Sequence, residues 1–325
     1  MNQTTTETPI AADAQEPIRA AVRAAMEADK LSLTDVARLS GVPYSTVHAW
    51  LDGKYSGNNQ RQAEKMQRWL DSKTVRARTR DLLRPAPSFI MTQTAQDLFG
   101  VMEYAQHLPD LAVATGGAGV GKTSAAHAYR AQASNVWLLT AEPCLTSPRS
   151  LLDALANLLG IGERYSAQSI SRAIVTKLYG SGGLVIIDEA QHLPSCALDQ
   201  LRTIHDKAEI GVALLGNEAI YARLNGGTRS AEFAQLYSRV GVQVKRPAPL
   251  MADIRALLEA WGIAGATERK LLTTIAKKPG ALRGLTKCLR LAHMMAGADG
   301  EPVSEQIILD AWQRLGNDAS VAAPR

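Results

Sequence analysis

A glycine-rich stretch, VATGGAGVGKTSAA at residues 113–126, constrains this chain more than any other feature. It fills the pattern G-x-x-x-x-G-K-[ST], with an apolar run before it that predicts a buried strand and a run after it that predicts a helix. Glycines let backbone N–H groups close around phosphate oxygens, and the helix N-terminus adds the positive end of its dipole. The pattern therefore predicts a nucleoside triphosphate site. Its predicted binding residues are Gly116, Gly117, Ala118, Gly119, Val120, Gly121, Lys122, Thr123 and Ser124.

Two acidic residues follow the apolar part of GLVIIDEA, at residues 183–190. Asp188 is placed to hold Mg²⁺, directly or through water, and joins the nucleotide-binding set; the Thr123 hydroxyl is the other predicted metal ligand. Lys122 is expected to reach the β- and γ-phosphates. Glu189 stands one residue further, where a carboxylate can orient and deprotonate an attacking water. Because unpaired buried carboxylates are costly, the pair has little structural rationale and indicates hydrolysis.

Asn217 ends the next apolar run, VALLGN. A polar amide at the tip of a neighbouring strand can help to position the attacking water, so Asn217 is a candidate catalytic residue. Asparagine is also an ordinary cap at the end of a strand, and the sequence leaves both interpretations open.

Strand and helix signals alternate between residues 91 and 246, which predicts an α/β core with a parallel sheet. The predicted strands are LAVAT, NVWLLTA, GLVIIDEA and GVALLGN. From about Pro247 the strand signal stops and three or four helices follow, which predicts an all-helical C-terminal domain at residues 247–317 and a tail at 318–325. A basic, Pro-rich linker at residues 76–90 is expected to separate the core from the N-terminal region.

The N-terminal region contains LSLTDVARLSGVPYSTVHAWLDGKY. Thr34 is expected to cap a first short helix, and Gly41 to form the turn to a second. This arrangement predicts a helix-turn-helix domain at residues 17–75, after a disordered lead-in at 1–16, with the second helix able to lie in a DNA major groove. A small helical domain used for protein contacts is the alternative. The predicted DNA-contacting residues here are Tyr44, Ser45, Thr46 and His48.

The net charge of +5 favours a polyanionic partner, and the charge is unevenly distributed. A further helix is predicted at about residues 59–71, and between Arg61 and Arg84 eight basic residues stand against three acidic ones. This segment either contacts a polyanion or is a solvated helix face followed by a charged linker.

Nothing in the sequence approaches the run of ~20 apolar residues that a membrane span needs. The polar N-terminus lacks the basic start and apolar stretch of a signal peptide. The three cysteines are widely spaced, which argues against a disulfide framework or a zinc site. These features predict a cytoplasmic protein without a membrane partner.

The order of these motifs resembles that of the AAA+ ATPases, and within them the transposition helper ATPases, the B proteins of Mu-like transposing phages. GVGKT and the acidic pair are shared by many NTPases, whereas the block NGGTRSAEFAQLYSR is far more particular. Further stretches that carry the likeness are KPGALR and, near the N-terminus, DGKYSGNN and QRWL. The likeness covers almost the whole chain.

The resemblance implies a P-loop AAA+ core followed by a helical lid domain, with ATP and Mg²⁺ as cofactors. It also implies a DNA-stimulated ATPase that oligomerises on largely non-specific double-stranded DNA, captures target DNA and activates a partner transposase. In that family the ATP site lies between neighbouring subunits. Arg239 is therefore expected to reach its neighbour's γ-phosphate, and Arg283 to sense the nucleotide of its own subunit from the lid.

Other basic residues are harder to assign from the sequence. Arg283, Lys287 and Arg290 share one helix face, which is either a DNA surface or a solvated exterior. Two further functions fit the same motifs: a replication-initiation or helicase-loading ATPase, and a helix-turn-helix transcription regulator switched by nucleotide. By the resemblance, the region that lines a DNA-facing channel in related ATPases contributes Arg149, Arg172 and Lys177.

Overall fold

The computed structural model describes residues 15–82, 87–162, 166–220, 239–299 and 302–316. It divides the chain into two compact units, Met1–Pro85 and Ala86–Arg325. Among the helices of the described ranges, none combines the length and apolar character required to cross a membrane.

The N-terminal unit is built from four helices whose apolar faces enclose a small core. The core includes Val22, Val36, Val47, Trp50 and Met66. The helices are α1 (Glu16–Asp29), α2 (Leu33–Ser40), α3 (Tyr44–Leu51) and α4 (Asn59–Leu82). The start of α1 differs from the expected lead-in, because Gln15 is buried and accepts a hydrogen bond from Trp50 Nε1 at 3.1 Å. The predicted lead-in otherwise lies outside the described residues.

The turn between α2 and α3 follows the predicted chemistry, but the cap of α2 does not. Gly41 has the left-handed φ of 68° that ends α2, and Pro43 immediately precedes α3. The predicted cap, Thr34, lies inside α2; Ser32 caps the helix instead, accepting from the Asp35 N–H while its own N–H donates to the Asp35 carboxylate. Ser32 has the extended backbone of a capping residue, which Thr34, as a helical residue, lacks.

Helix α4 is longer than the sequence pattern predicts. The expected end was near Asp71, yet the helix continues to Leu82. The added stretch contains neither glycine nor proline before Pro85, so nothing in it breaks a helix. Lys73 also joins α4 to α1, because its Nζ lies 2.8 Å from an Asp29 carboxylate oxygen.

The larger unit contains a five-stranded parallel sheet, which confirms the predicted α/β fold. The strands are β1 (Leu111–Gly116), β2 (Val136–Thr140), β3 (Leu184–Asp188), β4 (Gly211–Gly216) and β5 (Val240–Arg246), in the order β2-β3-β4-β1-β5. Strand β5 was not predicted. Its signal is the alternation of three valines at positions 240, 242 and 244, in a strand that alternates between half-buried and exposed residues.

Helices cover both faces of this sheet. On one face α5 and α6 pack with Leu98 and Tyr129 over the sheet, and on the other α7, α8 and α9 pack with Leu151, Ile174 and Leu201. The central strands are buried throughout, as expected for a parallel sheet covered on both sides. The helices are α5 (Gln93–His107), α6 (Lys122–Gln132), α7 (Pro148–Leu158), α8 (Ala167–Leu178) and α9 (Ser195–Ala208).

The C-terminal part is helical, as the sequence predicts. Asp253 connects it to the sheet domain: the buried carboxylate accepts hydrogen bonds from Thr94 N–H and Oγ1, at 2.9 and 2.6 Å, and from Leu250 N–H at 2.9 Å. This carboxylate therefore joins the N-termini of α5 and α10. The helices are α10 (Met251–Ala260), α11 (Ala266–Ala276), α12 (Ala281–Asp299) and α13 (Glu305–Arg314).

Candidate nucleotide site

The glycine-rich loop connects β1 to α6 and leaves no room for side chains at three positions. A Cβ at Gly116 would lie 2.3 Å from the Arg246 carbonyl oxygen, and a Cβ at Gly119 would lie 2.1 Å from that of Gly280. Gly117 is constrained in the same way by the residue after β5. Gly119 also has a φ of 84°, which favours glycine. The loop thus forms a backbone cradle of the kind that encloses phosphate groups.

Lys122 begins α6 with its side chain folded into this cradle. Its Nζ donates to the carbonyl oxygens of Gly116, at 2.8 Å, and Gly117, at 3.0 Å. Burial lowers the pKa of Lys122, and the carboxylates of Glu189 and Asp188 partly offset this effect. A cation held at the loop carbonyls is where a β- or γ-phosphate would need it.

Thr123, at the start of α6, and Asp188, at the end of β3, are brought together. The Thr123 hydroxyl donates to Asp188 Oδ2 at 2.7 Å, and the Glu189 N–H donates to Asp188 Oδ1 at 3.0 Å. Both oxygen donors suit Mg²⁺, which is usually bound through one or two protein groups with phosphates and water. Within the described ranges, no cluster of three or more His, Cys, Asp or Glu side chains could hold a metal by itself. The pair therefore fits a metal held jointly with a nucleotide.

Glu189 faces the cavity above the loop from an unusual backbone conformation. Its φ of 54° and ψ of 36° are left-handed, which is uncommon for a residue with a side chain. The chain then makes one 3₁₀ turn, Ala190–His192, which directs the Gln191 amide back to the Glu189 carboxylate. Sequence reasoning did not identify Gln191. Its only signal was an amide two positions after the predicted base.

Asn217 directly follows β4, beside the loop. Its side-chain oxygen accepts a hydrogen bond from the Ala219 N–H at 2.9 Å, so in this structure the side chain caps the chain that follows. Its backbone N–H donates to Gln191 Oε1 at 3.2 Å. Asn217 also lines a small cavity with Gly116 and Gly117. The catalytic role of its side chain stays a prediction.

A cavity of about 670 Å³ lies between the loop and the helical part, and both basic and apolar side chains line it. Lys122 and Arg283 line it together with Lys287 and Arg290, so the basic face of α12 borders this cavity. All three α12 residues are exposed, and the nucleotide-sensing role of Arg283 stays a prediction. A place on a cavity wall had not been predicted for Lys287 and Arg290. The apolar lining, which suits a flat base, comes from Phe89, Ile90, Leu257, Trp261 and Leu282.

Arg239 lies at the amino ends of the strands, opposite the carboxyl ends where the loop begins. It directly precedes β5, its carbonyl accepts from the Leu111 N–H at 3.3 Å, and its Nη1 lies 2.7 Å from Asp206 Oδ1. The loop begins at the other end of β1, at Gly116. Five residue steps of about 3.3 Å put roughly 17 Å of strand between the two. Arg239 is therefore not brought to the cavity of its own chain.

The residues predicted to contact DNA are on α3 of the N-terminal unit and on α7 and α8 of the larger unit. On α3, Tyr44, Ser45 and His48 are exposed and Thr46 is half-buried, and the His48 Nδ1 lies 3.6 Å from Asp52 Oδ2. In the larger unit, Arg149 binds both carboxylate oxygens of Asp153, at 3.0 and 2.8 Å. The block NGGTRSAEFAQLYSR lies outside the described residues up to position 238. On α8 both Arg172 and Lys177 are exposed.

Two family models match the chain. An AAA domain matches residues 105–224, which covers the loop, the acidic pair and four of the strands. The C-terminal domain of the Mu B transposition protein matches residues 238–315, which covers β5 and the helices after it. The predicted AAA+ ATPase core and helical C-terminal domain are thereby confirmed.

Curated relatives match over nearly the full chain. The ATP-dependent target DNA activator B of Escherichia phage Mu is 38% identical over 94% of this chain and 97% of its own length, and that of Escherichia phage D108 gives the same values. The Mu-like prophage FluMu DNA transposition protein B of Haemophilus influenzae is 37% identical over 79% of this chain and 90% of its own length. The chain therefore belongs to the family of the target DNA activator B proteins of Mu-like transposing phages.

Proposed function

We propose that this protein is an ATPase that assembles on double-stranded DNA when ATP is bound and presents that DNA to a transposase. The observation that carries the proposal is the convergence of Lys122, the Thr123–Asp188 pair and Glu189 at the mouth of one glycine cradle. The names of the relatives, which specify ATP dependence and target DNA, support the DNA part.

The roles of the residues follow from their positions. Lys122 and Arg283 offset the negative charge of the phosphates, and Glu189 accepts the proton of the attacking water. Thr123 and Asp188 hold Mg²⁺, which supplies further charge neutralisation when bound. The base rests against the apolar lining formed by segment 87–90 and α10, and the basic face of α12 completes the cavity wall.

The position of Arg239 supports assembly. Its side chain is half-exposed and lies about one strand length from its own cradle, so within one subunit it has no path to the γ-phosphate. A neighbouring subunit placed against the cavity can supply the arginine instead. ATP then stabilises contacts between subunits, because the bound nucleotide is shared by two of them. Since the partner is DNA, the protein acts in the cytoplasm of the bacterial host.

DNA contact is assigned to the N-terminal unit and, in the larger unit, to the region of Arg149, Arg172 and Lys177. In the N-terminal unit the exposed side of α3 carries Tyr44, Ser45 and His48, and α4 adds exposed basic residues, among them Arg61 and Arg68. Contacts of this type to phosphates are not sequence-specific and depend strongly on salt.

The experiment is electron microscopy and filter binding with random-sequence duplex DNA, in ATP, ADP and a slowly hydrolysed ATP analogue. We expect ordered assemblies with ATP and the analogue and none with ADP, together with stimulation of strand transfer by the cognate transposase. A compact dimer bound to one specific site regardless of nucleotide would contradict the proposal and favour a regulator.

The salt dependence of DNA binding tests the N-terminal contacts. Replacing both Arg61 and Arg68 by alanine is expected to make the slope of log affinity against log salt shallower by about 2, since each lost phosphate contact changes it by about 0.9. Arg255→Ala, which removes an exposed arginine from α10, is the matched control and is expected to leave the slope unchanged. An unchanged slope in the double variant would argue that the unit binds protein.

A further inference from the structure

A short hydrogen-bonded chain connects the acid Glu189 to the end of β4. Gln191 donates from its amide nitrogen to Glu189 Oε2, and its amide oxygen accepts from the Asn217 N–H at 3.2 Å. One side chain thus contacts both the acid at the end of β3 and the backbone at the end of the neighbouring strand.

Local structure holds Gln191 in this position. The 3₁₀ turn that follows Glu189 reverses the chain, so that a residue two positions later reaches back to the carboxylate. Gly216 leaves the space that the amide occupies, because a Cβ there would lie 2.7 Å from Gln191 Oε1. A real Cβ essentially never approaches another heavy atom so closely, so either the side chain or the strand would have to move.

We propose that Gln191 is a positioning residue for hydrolysis, which fixes the direction of the Glu189 carboxylate and links it to the end of β4. An amide that donates to one carboxylate oxygen leaves the other oxygen to accept a hydrogen bond from water. A carboxylate without this partner can rotate about its side-chain bonds, and a general base that is misplaced by about 1 Å can lose on the order of 100-fold in rate.

This inference rests on the proposed role of Glu189, and the two can fail separately. The first measurement is steady-state hydrolysis by Gln191→Ala and Gln191→Met, with nucleotide binding measured by a fluorescent ATP analogue. We expect kcat to fall by about 10- to 100-fold in both variants, with affinity for the analogue unchanged. Methionine keeps the length and most of the volume of glutamine, so full activity in Gln191→Met would show that the residue only fills space and would overturn the proposal.

The matched control is Gln200→Ala. Gln200 is also half-buried and donates to a neighbouring side chain, Ser171 Oγ at 3.2 Å, but it lies on α9 away from the cavity. We expect its turnover to match that of the unmodified protein. Thermal melting of all variants shows whether each is folded, and unchanged binding of the analogue shows that the cradle is intact.

A double-mutant cycle decides whether Gln191 acts through Glu189. In a Glu189→Gln background, Gln191→Ala is expected to cause no further loss, because the group that it positions is already gone. A further loss of the full size would mean that Gln191 acts on another group and would overturn the inference. Turnover at the normal rate in Glu189→Gln alone would instead remove the assigned base, which is a failure of the proposed function.

Discussion

At the carboxyl edge of the sheet, the half-buried Lys122 and the buried Asp188 are bonded to the chain around them, whereas at the amino edge the half-exposed side chain of Arg239 forms an ion pair. Lys122 and Asp188 each contact two groups of their own chain at the carboxyl edge. At the amino edge Arg239 binds Asp206, which also lies 3.3 Å from Arg202 Nη1. The groups at the carboxyl edge are held in place within one subunit, whereas the amino edge presents the Arg239 side chain at the surface.

In the proposed assembly, neither edge is sufficient alone. The enclosed edge can bind a nucleotide and supplies Glu189 as the general base, but the arginine for the γ-phosphate has to come from a neighbouring subunit. The exposed edge has the arginine but no cradle. Substitutions at the two edges should therefore differ in which step they impair, and in whether a second subunit can restore it.

The largest effect is expected from Lys122→Ala, at the enclosed edge. The change removes the cation bonded to the loop carbonyls, so ATP binding and hydrolysis are expected to be lost, and DNA assembly with them. Isothermal titration with ATP measures the first effect. Lys270→Ala, an exposed lysine of α11, is the control and should bind normally. Normal nucleotide affinity in Lys122→Ala would contradict the assignment of the nucleotide site to this edge.

Arg239→Ala is expected to leave ATP binding by isolated subunits intact while DNA-stimulated hydrolysis falls by about 10³, as for other arginines that act in trans. A mixture of two inactive variants tests whether the site is shared between subunits. Subunits with Arg239→Ala retain the cradle, and subunits with Lys122→Ala retain the arginine, so a mixture should recover part of the activity that neither has alone. A mixture that assembles on DNA and stays inactive would show that the edges do not meet between subunits.

Glu189→Gln is expected to slow hydrolysis by roughly 100-fold while ATP stays bound, because the substitution removes a general base and preserves the size of the side chain. DNA complexes should then last longer than those of the unmodified protein. The lifetime of the complexes is measured as their dissociation rate after dilution into competitor DNA. Faster dissociation would contradict the view that bound ATP stabilises the assembly.

The smallest effect is expected from Asp206→Ala, at the exposed edge. Its pairs with Arg239 and Arg202 are solvent-accessible, so the loss in free energy of unfolding is expected to be at most about 1 kcal/mol by urea denaturation. A loss of several kcal/mol would mean that the amino edge is as firmly built as the carboxyl edge.

The sequence predicted the residues of the enclosed edge because their chemistry is local. The residues from Gly116 to Thr123 follow one another in the chain, and the acidic pair directly follows a continuous apolar run. Strand β5 was missed because three of its seven residues are exposed, so it lacks the continuous apolar run of the predicted strands. The Gln191 contact was missed for another reason: it depends on the register that brings the end of β4 beside β3, which no short stretch encodes.

The close approach of Gly119 to the Gly280 carbonyl has an evolutionary consequence. The two glycines belong to distant parts of the sequence, the loop before α6 and the turn before α12, yet the Gly280 carbonyl fills the space that a methyl group at Gly119 would need. A substitution at Gly119 would have to be accommodated by a shift of that turn and of the start of α12, which carries Arg283. Substitutions in the loop and in the C-terminal helices are therefore expected to covary among relatives. A chimera that joins the helices of one relative to the core of another should fold only when this contact is kept.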